Sequence, residues 1–295
     1  MSFNFEDALA LLDARLTKEL KPMLDQASFD ATLSQEQFAL LLTASGLSEN
    51  DLRVALLPLA TTLSISNISN FRVGAIVTGL SGRLYFGANM EFANASLSQS
   101  VHAEQSAISH AWMKGEIGVA NITVNYSPCG HCRQFMNELT TADSIKIQLP
   151  KSIEKNLQYY LPDSFGPSDL ATDRRLMDQE VMSFLLSTED FLVKKALLAM
   201  NASYAPYSHH FSGVGLMLEN GESFTGRYAE NAAFNPSLSP LQVALVQVIM
   251  AGKSIESIIR IVLVENKESI ISHYSVTKEI VEGMGVQFEL EYFEI

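Results

Sequence analysis

Two hydrophobic rhythms divide the chain. Over the first fifty or so residues apolar side chains recur at helical spacing, which predicts short helices. Phe5 to Lys21 carries one such stripe. Ser34-Gln35-Glu36-Gln37 is a capping box leading into Phe38-Ala39-Leu40-Leu41-Leu42, and Ser48 with Asp51 opens a further helix through Leu57. Beyond that point short apolar runs alternate with helical ones. Val73 to Thr78 and Arg83 to Gly87 predict a strand pair around Ser81-Gly82, followed by a helix from near Ser98 or Ser100 to Lys114. A strand over Ile122 to Asn125, a helix over Gly130 to Thr141 and a strand over Ile145 to Leu149 come next. Alternation of this kind predicts a layered α/β domain. A polar connector spans 150 to about 186, and Thr188 to Met200 returns to helix.

The second half then echoes the first. Asn94-Ala95-Ser96-Leu97-Ser98 matches Asn235-Pro236-Ser237-Leu238-Ser239, and Val73-Gly74 matches Val214-Gly215, both at an offset of 141 (235 minus 94, 214 minus 73). Two anchors at one spacing predict a duplicated fold. Carried forward, that offset sets Val243 opposite His102 and Leu245 opposite Glu104.

Composition narrows the function. At 295 residues the chain can hold two domains, and 47% hydrophobic with 18% charged residues is ordinary for a folded protein. A formal charge of −13 with no basic run argues against nucleic acid as the main partner, since phosphate-backbone binding draws on Lys and Arg. No basic leader precedes an apolar stretch at the N-terminus, and no apolar run reaches membrane-spanning length. The chain's two cysteines are expected as thiols in a reducing cytoplasm.

Both cysteines fall in one motif. His102-Ala103-Glu104 and Pro128-Cys129-Gly130-His131-Cys132 together offer three metal ligands and one carboxylate. Structural zinc sites close four positions with Cys and His, whereas catalytic sites use three and leave one for water. The pairing of H-x-E with P-C-x-x-C is the signature of zinc nucleobase deaminases, in which the Glu shuttles protons and is not a ligand. Both clusters are expected at helix N-termini, where the dipole favours thiolate. Two other readings stay open: a redox dithiol, which leaves His102-Ala103-Glu104 unexplained, and a structural zinc closed by a fourth ligand. Phe71 reads equally as core, and Asn89 with Glu91 as a solvated strand edge, although an amide and a carboxylate two residues apart on a strand face one side.

With these residues in view, the chain resembles the cytidine deaminases in their long bacterial form. The resemblance rests on Ser69-Asn70-Phe71-Arg72-Val73-Gly74-Ala75, Asn89-Met90-Glu91-Phe92 and the two zinc motifs. Tyr204-Ala205-Pro206-Tyr207-Ser208 and Tyr228-Ala229-Glu230-Asn231-Ala232-Ala233-Phe234 extend it into the second half. It implies a fold of two three-layer α/β/α domains, each a mixed sheet flanked by helices, after a small N-terminal helical segment. The expected divisions are a helical segment at 1–47, a catalytic domain at 48–168, a linker at 169–186 and a degenerate copy at 187–295. It further implies one Zn²⁺ per subunit on His102, Cys129 and Cys132, and Glu104 as the proton carrier. Asn89 and Glu91 would bind the ribose hydroxyls, Phe71 would pack on the pyrimidine, and Ala103 would also contact substrate. Phe165 and the loop Ala232-Ala233-Phe234 resemble further pocket parts, the loop coming from a partner subunit of a homodimer. The implied reaction is hydrolysis of cytidine and 2′-deoxycytidine to uridine and 2′-deoxyuridine plus ammonia, in pyrimidine salvage.

Overall fold

The computed structural model describes residues 4–285 and 290–295. The first apolar stripe breaks in two. Helix α1 (Glu6–Leu9) stops, and α2 (Ala14–Leu24) restarts on Asp13, whose carboxylate accepts the N–H of Arg15 at 2.9 Å. A side chain that satisfies free N–H groups favours a new helix start over continuation. A short strand, β1 (Thr32–Leu33), follows unannounced by the apolar pattern. Helix α3 (Gln35–Ser45) opens on the expected box, with Gln37 N–H donating to Ser34 Oγ and Ser34 N–H to Gln37 Oε1. Helix α4 (Glu49–Thr62) starts on Ser48 and runs past Leu57.

Strands β2 (Gly74–Gly79), β3 (Leu84–Ala88), β4 (Val119–Val124), β5 (Lys146–Gln148) and β6 (Lys155–Asn156) join β1 in a mixed sheet of order β1-β3-β2-β4-β5-β6. Only the β4–β5 pair is parallel. Helix α4 lies on one face of it and α5 (Ala103–Met113) on the other. A Cβ on Gly74 would sit 2.6 Å from the Thr61 backbone N, and one on Gly87 2.2 Å from the Ala107 N, so both helices approach the sheet too closely for a side chain. The N-terminal segment belongs to this core: Leu16, Leu20, Leu33 and Leu41 are at most 1% exposed. Two short helices, α6 (Gly130–Met136) and α7 (Leu157–Tyr160), complete the first half.

The second half rebuilds the same layers. Helix α8 (Phe191–Asn201), β7 (Ser212–Leu218), β8 (Ser223–Arg227), α9 (Pro240–Met250), β9 (Ile258–Glu265), α10 (Tyr274–Gly283) and β10 (Glu291–Glu294) give a sheet of order β10-β9-β7-β8. Glycines again admit the helices: a Cβ on Gly226 would meet Ala244 N at 2.3 Å, and one on Gly213 would meet Met200 N at the same distance. Among the described residues no helix is long and apolar enough to cross a membrane.

The duplication holds, but not at one constant offset. The bridges Ile65–Met90 and Tyr204–Ala229 set equivalent residues 139 apart (204 minus 65, 229 minus 90). The bridges Met90–Val101 and Ala229–Leu238 reduce this to 137 beyond the loop (238 minus 101), because the second loop is two residues shorter. Ser239 therefore caps α9 where His102 caps α5, and Leu241 stands opposite Glu104. Val243 and Leu245, expected at those places, lie further along α9. The matching Asn-x-Ser-Leu-Ser strings occupy different points of loops of unequal length, which sequence offset cannot register.

The two copies face each other through these caps. Gln105 Nε2 donates to Pro236 O at 2.8 Å, and Gln242 Nε2 donates to Gln99 O at 2.7 Å. At the 137 shift these are the same contact made in both directions, the pattern of a two-fold interface. The facing helices α5 and α9 are buried nearly throughout.

Candidate active site

The sequence clusters converge at two helix starts. His102 is the N-cap of α5 and Cys129 the N-cap of α6, with Cys132 one turn on and fully buried. His102 Nδ1 lies 3.4 Å from Cys129 Sγ and 3.3 Å from Cys132 Sγ, and the sulfurs are 3.7 Å apart. Tetrahedral zinc, with bonds of about 2.3 Å to sulfur and 2.0–2.1 Å to nitrogen, needs edges of about 3.8 Å between sulfurs and about 3.6 Å from sulfur to nitrogen. One imidazole and two sulfurs at these spacings fit zinc. No fourth Cys, His, Asp or Glu joins the group among the described residues.

A hydrogen bond from Cys132, then one from His102, hold Cys129 as thiolate, at about 3, while that same bond and burial push Cys132 well up. The bond to Cys129 also raises His102 above the ordinary imidazole value against the effect of burial. Glu104 is 4% exposed, and burial pushes its carboxyl above the usual range.

His102, Ala103, Glu104 and Cys129 line a cavity of about 400 Å³ together with Phe71, Asn89 and Glu91. That volume is in the range of small-molecule pockets. Strand β3 ends at Ala88. In the extended segment beyond it Met90 is buried between Ile65 and Val101, while Asn89 and Glu91 reach the cavity. Both side chains also hold the loop that carries Phe71. Asn89 Oδ1 accepts from Val73 N–H at 2.9 Å and Ser64 Oγ at 2.7 Å, and its Nδ2 donates to Phe71 O at 3.0 Å. Glu91 Oε2 accepts from the N–H groups of Ile68 and Ser69 at 2.8 and 2.9 Å, and Oε1 from the Ser69 hydroxyl. Partial burial raises the Glu91 pKa, but these bonds outweigh it and hold the group below the usual carboxylate range. By donor and acceptor count, Asn89 keeps one free N–H and Glu91 about one acceptor position.

Several lining residues gave no sequence signal of their own. Tyr126 packs against Phe71 with ring centroids 4.7 Å apart and the planes tilted by 39°, and lines the same cavity. Its place two residues before Pro128 was the available clue. Arg133 braces the cysteine turn, donating to Pro128 O at 2.7 Å and to Tyr160 O at 2.9 Å. His131 stacks on His102 at 5.1 Å. Arg72 is exposed and nothing in the structure explains it. Phe165 and the 232–234 loop lie off this cavity in their own chain. Phe165 is 47% exposed, its carbonyl bound by Gln134 and Asn137, and Phe234 is 65% exposed.

Comparison with known proteins agrees with this geometry. The family profile described as "Cytidine and deoxycytidylate deaminase zinc-binding region" matches residues 49–147, and a second profile of the same description matches 157–278. A cytidine deaminase of Vibrio parahaemolyticus is 54% identical over 295 residues, covering 100% of both chains, and one of Vibrio cholerae gives the same figures. A solved cytidine deaminase of Burkholderia pseudomallei is 28% identical, covers 39% of this chain and 98% of its own, and superimposes with a TM-score of 0.35. By full-length identity with these relatives, joined to the family profile on each half, the chain belongs to the cytidine deaminase family.

Proposed function

We propose that this cavity carries out zinc-dependent hydrolytic deamination of cytidine and 2′-deoxycytidine, giving uridine or 2′-deoxyuridine and ammonia, as a step of pyrimidine salvage. One observation carries the reading. Three donors stand at tetrahedral edge distances, and two of them, His102 and Cys129, line the same cavity as the buried Glu104 carboxyl. His102, Cys129 and Cys132 hold the metal. Zinc, when bound, supplies the Lewis acidity that lets water react near neutral pH.

The chain's own residues supply the rest. Glu104, whose protonated form burial favours, takes one proton from water as its oxygen adds at C4 and passes a proton to N3 of the pyrimidine. It then takes the remaining water proton and delivers it to the departing amino nitrogen. Each transfer needs a carboxyl that can hold the proton between donor and acceptor, and a dry pocket provides it. Phe71, packed against Tyr126, offers an apolar wall for the base. The free N–H of Asn89 and the free acceptor position of Glu91 suit a sugar hydroxyl, which both donates and accepts. A pocket built to pair with a hydroxyl rejects free cytosine, because its polar groups would otherwise stay unpaired.

Phe165 and the 232–234 loop fit this reading as pocket walls in a homodimer, the loop reaching the cavity of the partner subunit; Phe165, Ala233 and Phe234 are on the surface, while Ala232 is buried with its N–H bound by Glu138. The two thiols suit a reducing cytoplasm. Ammonia release from cytidine, 2′-deoxycytidine, cytosine and a cytosine-containing oligonucleotide tests the proposal. Turnover of the two nucleosides alone is expected. Turnover of the oligonucleotide would overturn the pocket, and no turnover by zinc-loaded protein would overturn the reaction.

A further inference from the structure

Where the first domain has its ring pair, the second has metal-binding side chains. The 139 shift places His210 opposite Phe71 and Glu265 opposite Tyr126. His210 Nε2 is 2.8 Å from Glu265 Oε1, and His273, at the start of α10, brings Nδ1 to 3.4 Å from that oxygen. One ligand atom from each residue lies within 4.8 Å of the other two. Ser212 Oγ, 2.8 Å from His273 Nδ1, adds a further buried oxygen beside the cluster. His210 and Glu265 are 1% exposed and His273 9%, so the group is buried with one narrow approach past His273.

Hydrogen bonds account for part of this arrangement. Glu265 also accepts from His273 N–H at 2.7 Å and from the Ser272 hydroxyl at 2.7 Å. They supply countercharge only where an imidazole is protonated. Among the described residues the ion pairs of Glu265 are with His210 and His273 alone, with no Lys or Arg. A second carboxylate, Glu230, adds negative charge beside the cluster through Tyr228, whose ring packs 4.3 Å from His273 and whose hydroxyl donates to Glu230 at 3.3 Å. A buried carboxylate is costly unless a cation meets it. Two imidazoles and one carboxylate are a donor set for first-row divalent metals. With bonds near 2.1 Å, tetrahedral zinc would space such donors at about 3.4 Å, the separation of His273 from Glu265, whereas His210 and Glu265, in hydrogen-bond contact at 2.8 Å, would move apart to admit it.

We propose that His210, Glu265 and His273 form a second metal site, for a divalent cation of the zinc type, that ties the start of α10 to β7 and β9. The site is separate from the His102–Cys129–Cys132 group. The second half contains no cysteine, and the helix that follows β9 is capped by His273 where the one that follows β4 is capped by Cys129. The ion sits instead where the first domain keeps its base slot, so one half of the duplicated fold holds substrate where the other holds structural metal. On binding, the cation replaces a proton: an imidazolium His210 loses its Nε2 proton to solvent, keeps its Nδ1–H and stays neutral, and the freed Nε2 lone pair takes the metal.

The test is a zinc count on the full chain, stripped with chelator, reloaded with Zn²⁺ and passed through gel filtration. Wild type is expected to retain two zinc ions per chain, and Glu265→Gln and His273→Gln one each. Cys129→Ser/Cys132→Ser is also expected to retain one, and its melting temperature should rise with added Zn²⁺. One zinc per wild-type chain together with none in the double cysteine variant would overturn the proposal. These two counts decide the matter even if Glu265→Gln fails to fold, because neither protein alters the new site.

Discussion

The two halves of this chain share a backbone and differ in chemistry, and the difference separates architecture from activity. Glu91 receives the N–H groups of Ile68 and Ser69. Glu230, 139 positions on, receives those of Tyr207 and Ser208 at 2.8 and 3.2 Å. The glutamate clamp thus persists in a half where His102 has become Ser239 and Glu104 has become Leu241. It holds a loop whether or not a substrate follows. In the first half the clamp also fixes Phe71 beside Tyr126 and leaves a cavity; in the second, His210 and Glu265 close the same space with polar contacts. An N-cap side chain serves any helix, but the first half uses that position for an imidazole aimed at two thiols. Its cap then relies on Gln105, which accepts from His102 N–H at 3.3 Å.

The largest expected effect falls on the residues with no counterpart in the second half. Cys132→Ser should remove zinc from the first site and bring ammonia release below detection, with metal content measured on the same sample. Glu104→Gln should keep that zinc and lower kcat by more than about 10⁴, since a single general acid–base transfer is worth about 10²–10⁴ and this group serves two. The mirrored change, Leu241→Ala, should leave kcat unchanged and cost about 2–5 kcal/mol in denaturant melts, as for other buried leucines. Equal activity loss from Leu241→Ala would break the division of labour between the halves.

The clamps give a finer contrast. Glu91→Gln should raise KM for cytidine by about 10- to 100-fold, the value of one or two lost polar contacts. Glu230→Gln should leave KM alone and lower stability by about 1–3 kcal/mol. The smallest effects belong to the paired caps. Gln105→Ala and Gln242→Ala should each destabilise the chain by about 1 kcal/mol, with similar thermal shifts, because each loses half of a capping box and one contact between halves. Clearly unequal shifts would contradict the two-fold reading of that interface.

The sequence was most legible where rare residue types met fixed spacing. His102, Cys129 and Cys132 could be named as a group because the chain has two cysteines and both stand in one motif. The helices capped by Ser34 and Ser48 were readable because capping is local. The break at Asp13 was not, since the apolar stripe runs through it and the cap competes with a pattern that looks continuous. The register of the duplication was misread because a loop shortened by two residues shifts everything after it. Tyr126 was passed over because a single aromatic near a motif is indistinguishable from core until its neighbour Phe71 is in place.

By itself the sequence determined the alternation of helices and strands in the first half, the duplication, and the donor set of the candidate zinc site, all matters of residue type and near-neighbour spacing. The tertiary structure decided what long-range packing controls: that Glu104 is buried, that Asn89 and Glu91 hold the Phe71 loop as well as reaching the cavity, and that β1 extends the sheet. It also decided that His210, Glu265 and His273, drawn from segments up to 63 positions apart (273 minus 210), meet in one buried cluster. A strand pairing or a side-chain cluster of that kind depends on where the backbone brings distant segments, and no local pattern along the chain encodes it.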